Sequence, residues 1–190
     1  MANKPKILVA LTCQRFVFSR TTFSLIQAAL NAKGYVFDFY MEMGADIASS
    51  RNRVVQAAKT RGASHLLFVD YDMYFPPDAI AKLLGADKDI IGAAYNFRKD
   101  PPHSTAVPVE EPAPTDKPYK CQALGAGLLL IKMNVFDKLK QPWFMFGYTE
   151  KGELYYGEDT YFCQRAIKEC GFDVWADPTL NVKHLGEALY

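Results

Sequence analysis

The chain has 190 residues, enough for one domain with its own core, and its 49% apolar, 14% aromatic and 23% charged composition excludes a disordered or coiled-coil chain. With 22 Lys and Arg against 21 Asp and Glu, the formal charge is +1, so no global field draws the chain to nucleic acid or anionic lipid. Cys13, Cys121, Cys163 and Cys170 include no C-x-x-C pair and have no histidine at finger spacing, which argues against structural zinc. Cys163 and Cys170 stand two helical turns apart, about 10 Å along an axis and too far to bridge. Reduced thiols point to the cytoplasm, and the apolar run Ile7 to Leu11 is too short for a signal or a membrane span.

In chain order, Lys6 to Leu11 reads as a buried strand. A helix follows from about Thr22 to Lys33, with Phe23, Ile26, Ala29 and Leu30 at helical spacing and Gly34 as its stop. Tyr35 to Met41 is a second strand. Asp46 is placed to cap a helix to about Arg61, with Ile47, Val54, Val55 and Ala58 on its apolar side and Gly62 at its end. His65 to Val69 is a third strand, Pro76-Pro77 open a short helix, and Asp89 to Ala94 is a fourth strand. This alternation predicts an α/β, Rossmann-like layer with a largely parallel central sheet flanked by helices, as one domain over 1–190. Lys99 to Lys120 carries six of the chain's 11 prolines and reads as a mobile surface loop, either a linker or a lid. Beyond it the pattern gives a strand at Ala126 to Ile131, a short helix near Val135 to Leu139, a helix from about Thr160 to Glu169 and a strand near Asp173 to Trp175.

The sharpest local signal is the apolar run His65 to Val69 ending in Asp70-Tyr71-Asp72. In extended chain, residues i and i+2 share a face, so both carboxylates can meet a hard divalent cation and a diphosphate at a strand's carboxyl end. The same Asp-x-Asp also starts turns. Gly157-Glu158-Asp159 precedes an amphipathic helix, where acidic residues serve either as caps or as ionised carboxylates for chemistry. His184 lies alone in an apolar stretch, a core histidine or a ligand. The aromatic run Trp143 to Tyr148 is equally open between sugar stacking, a core segment and a contact in a homo-oligomer.

Taken in order, Ser50-Arg51-Asn52-Arg53, Phe68-Val69-Asp70-Tyr71-Asp72 with Pro76-Pro77, Gly125-Ala126-Gly127, Gly157-Glu158-Asp159-Thr160-Tyr161-Phe162 and His184 resemble the landmarks of the GT-A fold nucleotide-sugar-dependent glycosyltransferases, particularly the family-2-like members. The resemblance covers most of the chain. It implies that Asp70 and Asp72 hold a divalent metal and the donor's ribose and diphosphate, with Asp72 the direct ligand and His184 completing the metal site. Such a ligand set suits Mn²⁺ or Mg²⁺. It implies a diphosphate contact for Arg51, nucleoside contacts for Thr12, Gln14 and Arg15, and a close donor approach at Gly125 and Gly127. Asp159 matches the general base of inverting members, with Glu158 the weaker candidate.

The resemblance thus implies a soluble transferase that moves a sugar from a nucleoside diphosphate, UDP before others, to a hydroxyl on a saccharide, a lipid-linked glycan, a protein or a modified nucleobase. A nicotinamide oxidoreductase is disfavoured, because Leu11-Thr12-Cys13-Gln14-Arg15 stands where G-x-G-x-x-G belongs. Two alternatives stay open: a sugar-phosphate nucleotidyltransferase, and a non-catalytic binding protein on the same fold.

Overall fold

A computed structural model describes residues 4–13, 15–98 and 101–186. Lys6–Cys13 (β1), Val36–Met43 (β2) and His65–Asp70 (β3) are joined by helices Ser19–Asn31 (α1) and Ile47–Thr60 (α2). Then come Met73–Tyr74 (β4), helix Ala79–Gly85 (α3), Ile90–Ala93 (β5), Ala106–Pro108 (β6), Tyr119–Leu124 (β7) and Leu128–Lys132 (β8). Helix Met133–Lys138 (α4), Gly147–Tyr148 (β9), Leu154–Tyr156 (β10), helix Glu158–Cys170 (α5), Val174–Asp177 (β11), a 3₁₀ turn at Pro178–Leu180 and Lys183–His184 (β12) complete the order.

Eight strands form one sheet in the order β2-β1-β3-β8-β5-β11-β7-β6. β2, β1, β3, β5, β11 and β6 point one way, and only β8 and β7 run against them, so the expected largely parallel sheet is present. Alternate residues of β1 and β3 feed two apolar layers. Ile7, Val9, Leu67 and Val69 pack against α1 and α3, while Leu8, Ala10, Leu66 and Phe68 pack against α2, α4 and α5. Covering both faces is what lets these strands be apolar throughout.

Local signals set most boundaries. Asp46 caps α2 by accepting from the backbone N–H of Ala48 at 3.3 Å and Ser49 at 3.1 Å. Gly171, at φ 71°, closes α5 in the left-handed conformation. All four cysteines are free. No helix among the described residues is long and apolar enough to cross a membrane.

Two expectations need correction. The segment 101–120, read as one loop, contains β6 and the start of β7. Its proline Pro108 ends β6 at the sheet's edge, where a missing N–H costs no ladder bond. In α1 the inward face is Thr21, Ser24, Leu25 and Ala28, while Phe23, Ile26 and Leu30 are 61%, 51% and 68% exposed. The helix is apolar on two sides, so spacing alone chose the wrong one.

Candidate functional site

Parallel strands β1 and β3 end in register, with Thr12 opposite Asp70. Their carboxyl ends open on a cleft of about 240 Å³ lined by Thr12, Cys13, Ser50, Asp70, Tyr71, Asp72, Arg98 and His184, with Gly44, Ala45 and Ile47 on the far wall. Ligands in open α/β sheets bind at such a position.

Asp70 and Asp72 both line the cleft, but not as an extended pair. The strand stops at Asp70 and the chain turns through Tyr71 and Asp72, so the two carboxylates take different partners. Asp70 accepts a 2.8 Å bond from the Thr12 hydroxyl and faces Arg51 Nη2 at 3.2 Å. Asp72, 2% exposed, pairs through Oδ2 with Arg98 Nη2 at 2.8 Å, while its Oδ1 lies 3.8 Å from His184 Nε2. Burial raises the Asp72 carboxyl above its usual range, against the pull of His184 and Arg98.

His184 reaches the cleft because β12 pairs antiparallel with β4, just beyond Asp72. The backbone N–H of Leu185 donates to the Asp72 carbonyl at 2.7 Å and fixes that register. The Nδ1 of His184 is 3.1 Å from the Asn96 carbonyl, and a carbonyl can only accept, so Nδ1 carries the proton. Nε2 then presents either a second proton or a lone pair toward Asp72. A proton on either group, or a cation between them, makes this approach favourable.

That arrangement tests the implied metal. Among the described residues no three of His, Cys, Asp and Glu converge to hold an ion, so Asp70 does not join Asp72 and His184 as drawn. Asp72 Oδ1 and His184 Nε2 face each other across 3.8 Å, so holding one ion at about 2.1 Å from each in adjacent octahedral positions would need them to close to about 3.0 Å. The hydrogen bond at Nδ1 is the orienting contact that ligating histidines usually have.

Arg51 sits elsewhere than the expected diphosphate contact. It is 3% exposed and does not line the cleft. Its guanidinium links Asp70 on β3 to Glu158 on α5, with Nη1 bonded to Glu158 Oε1. Burial works to lower its pKa, but Asp70 and Glu158 outweigh it and leave Arg51 firmly charged. Burial raises the Glu158 carboxyl, against Arg51. Glu158 is therefore placed as a partner of Arg51, and not as a base open to substrate. Asp159, half-buried on the first turn of α5, accepts from the Thr160 backbone N–H at 2.7 Å, favours the charged form of Arg51, and is not among the residues that line the cleft.

Gly125 and Gly127 have a packing reason of their own. A Cβ would lie 2.7 Å from the Tyr95 hydroxyl at Gly125 and 2.5 Å from it at Gly127, and the Gly127 N–H donates to that hydroxyl at 2.9 Å. Tyr95 also meets His184 edge to face, with centroids 4.9 Å apart. Arg15 is exposed and away from the cleft wall, and Gln14 lies outside the described residues. The aromatic run divides: Trp143 and Phe144 are core, Phe144 stacking on Phe162 at 4.8 Å, while Tyr148 is exposed.

No family model and no curated protein matches the chain. Among solved structures, the chain is similar to A197 from STIV, with TM-score 0.63 and 13% identity over 97% of this chain and 96% of that one. It is also similar to a UDP-glucose pyrophosphorylase complexed with UDP-glucose, with TM-score 0.57 and 8% identity over 97% of this chain and 92% of that one. The fold is GT-A-like.

Within this GT-A-like sheet, sequence reasoning missed Arg98 and Tyr95. Arg98 follows β5 just before the proline-rich segment, where no periodicity marks it. Tyr95 had a fainter signal, as a large polar aromatic closing an apolar strand that faces two glycines across the GT-A-like sheet.

Proposed function

We propose that the protein is a divalent-cation-assisted glycosyltransferase that moves a sugar from a nucleoside diphosphate, UDP first among the candidates, to a hydroxyl acceptor. The strongest support is the Asp72–His184 pair, a carboxylate oxygen and a ring nitrogen facing each other in a cleft at the carboxyl ends of β1 and β3. Likeness to a pyrophosphorylase holding UDP-glucose supports a nucleotide-sugar ligand. Four free thiols are in keeping with a reducing compartment such as the cytoplasm.

In this reading Asp72 and His184 are the residues that would hold Mn²⁺ or Mg²⁺. The ion when bound supplies Lewis-acid neutralisation of the departing diphosphate. Thr12 and Asp70, already hydrogen-bonded to each other, face the donor's ribose. Arg51 holds Asp70 and Glu158 in place without touching the donor. Asp159 takes the acceptor's proton as the acceptor oxygen bonds to the anomeric carbon. The bond from that carbon to the diphosphate oxygen breaks with its electrons going to the nucleoside diphosphate, and the sugar inverts.

Titration calorimetry with UDP, GDP, CDP and ADP, each with Mn²⁺ and again with a chelator, tests the donor site. Binding of one diphosphate that is lost with chelator is expected; no binding by folded protein overturns the reading. Asp159→Asn is expected to keep that binding and lose turnover. A second reading, sugar-phosphate nucleotidyl transfer, is favoured by the pyrophosphorylase likeness. It separates by product: UDP-sugar with pyrophosphate gives UTP and a sugar 1-phosphate, whereas glycosyl transfer gives UDP.

A further inference from the structure

Asp72 offers two oxygens and they are used unequally. Oδ2 carries the Arg98 guanidinium at 2.8 Å, while Oδ1 faces His184 Nε2 across 3.8 Å. Arg98 also donates through Nη1 to the Leu185 carbonyl at 3.1 Å, so one side chain joins the segment after β5 to the turn after β3 and to the residue following His184. Its side chain is 47% exposed although its carboxylate partner is buried. Arg98 is therefore the solvent-exposed member of the pair, and it lines the same cleft as Asp72.

One buried carboxylate cannot fully neutralise a guanidinium and a divalent ion a few ångströms apart. Each cation weakens the hold of the other. A guanidinium is also a planar fork suited to two phosphate oxygens, so once displaced it has a natural new partner in the donor.

We propose that Arg98 is a tethered cation that occupies Asp72, competes there with an incoming divalent ion, and passes to the donor's diphosphate when that ion binds. This rests on the cation-assisted reading above. It adds that the cleft is charge-balanced before any ligand arrives and that ion and diphosphate bind cooperatively.

The test uses Mn²⁺ alone, followed by electron paramagnetic resonance of the free ion, on the wild-type chain, Arg98→Ala, Arg98→Lys and Asp72→Asn. Removing a competing charge-assisted bond from a half-exposed site is expected to tighten Mn²⁺ binding by about five- to tenfold in Arg98→Ala. Arg98→Lys, which keeps the charge, is expected to stay near wild type, and Asp72→Asn to lose the ion. At saturating Mn²⁺, UDP is expected to bind Arg98→Ala about tenfold more weakly, the loss of one charge-assisted phosphate contact. Thermal melts confirm that each variant is folded. Mn²⁺ affinity in Arg98→Ala equal to or below wild type overturns the tethered-cation role, and the donor site stands if the wild type still binds UDP with Mn²⁺. Failure of wild type and Arg98→Ala alike to bind Mn²⁺ overturns both.

Discussion

Arg51 spends its guanidinium on two carboxylates from distant parts of the chain, and among the described residues its Nε is buried without a partner. Such a group stabilises little relative to apolar packing, but breaking it leaves uncompensated charge inside. Arg51→Met is expected to lower stability by about 3–5 kcal/mol in denaturant titration, and Glu158→Gln added to it is expected to recover part of that loss. The sequence held a signal for this. Arg51 falls at helical spacing with Val54, Val55 and Ala58, on the inward stripe of α2, where an arginine must find internal anions. Asp72 and His184 were legible as chemistry because of their residue types and order. Their mutual geometry was not, since it depends on a two-residue strand pairing, β4 with β12, that no pattern announces.

Among the elements, the long apolar strands and the helices with caps were readable, because period and punctuation agree there. The connection from Gly125 to Gly127 was readable only as a glycine cluster. Its physical content is contact with Tyr95, which follows β5. Gly127→Ala is expected to cost about 1–3 kcal/mol in thermal or chemical unfolding, as overpacked sites do. Pairing it with Tyr95→Phe is expected to return part of the loss by removing the hydroxyl nearest the new methyl, located 2.5 Å away. β6 escaped detection because a proline ends this three-residue edge strand, and β7 because its first inward residues, Cys121 and Ala123, are small, with Lys120 and Gln122 outward.

At the scale of the molecule, β8 runs antiparallel between β3 and β5 and ties the β2-β1-β3 half to the β5-β11 half. The cleft belongs to the first half, yet its histidine arrives from β12, after every strand of the large sheet. A chain ending at Val182 is therefore expected to keep a cooperative melt and the circular dichroism of the whole protein while losing Mn²⁺ binding.

The same arrangement has a consequence for birth on the ribosome. Arg51, Asp70, Asp72 and Arg98, which make the first ion pairs, are synthesised before β8, whereas Glu158 and then His184 follow it. The arginine that neutralises Asp72 is thus synthesised 86 residues ahead of the histidine that faces its other oxygen.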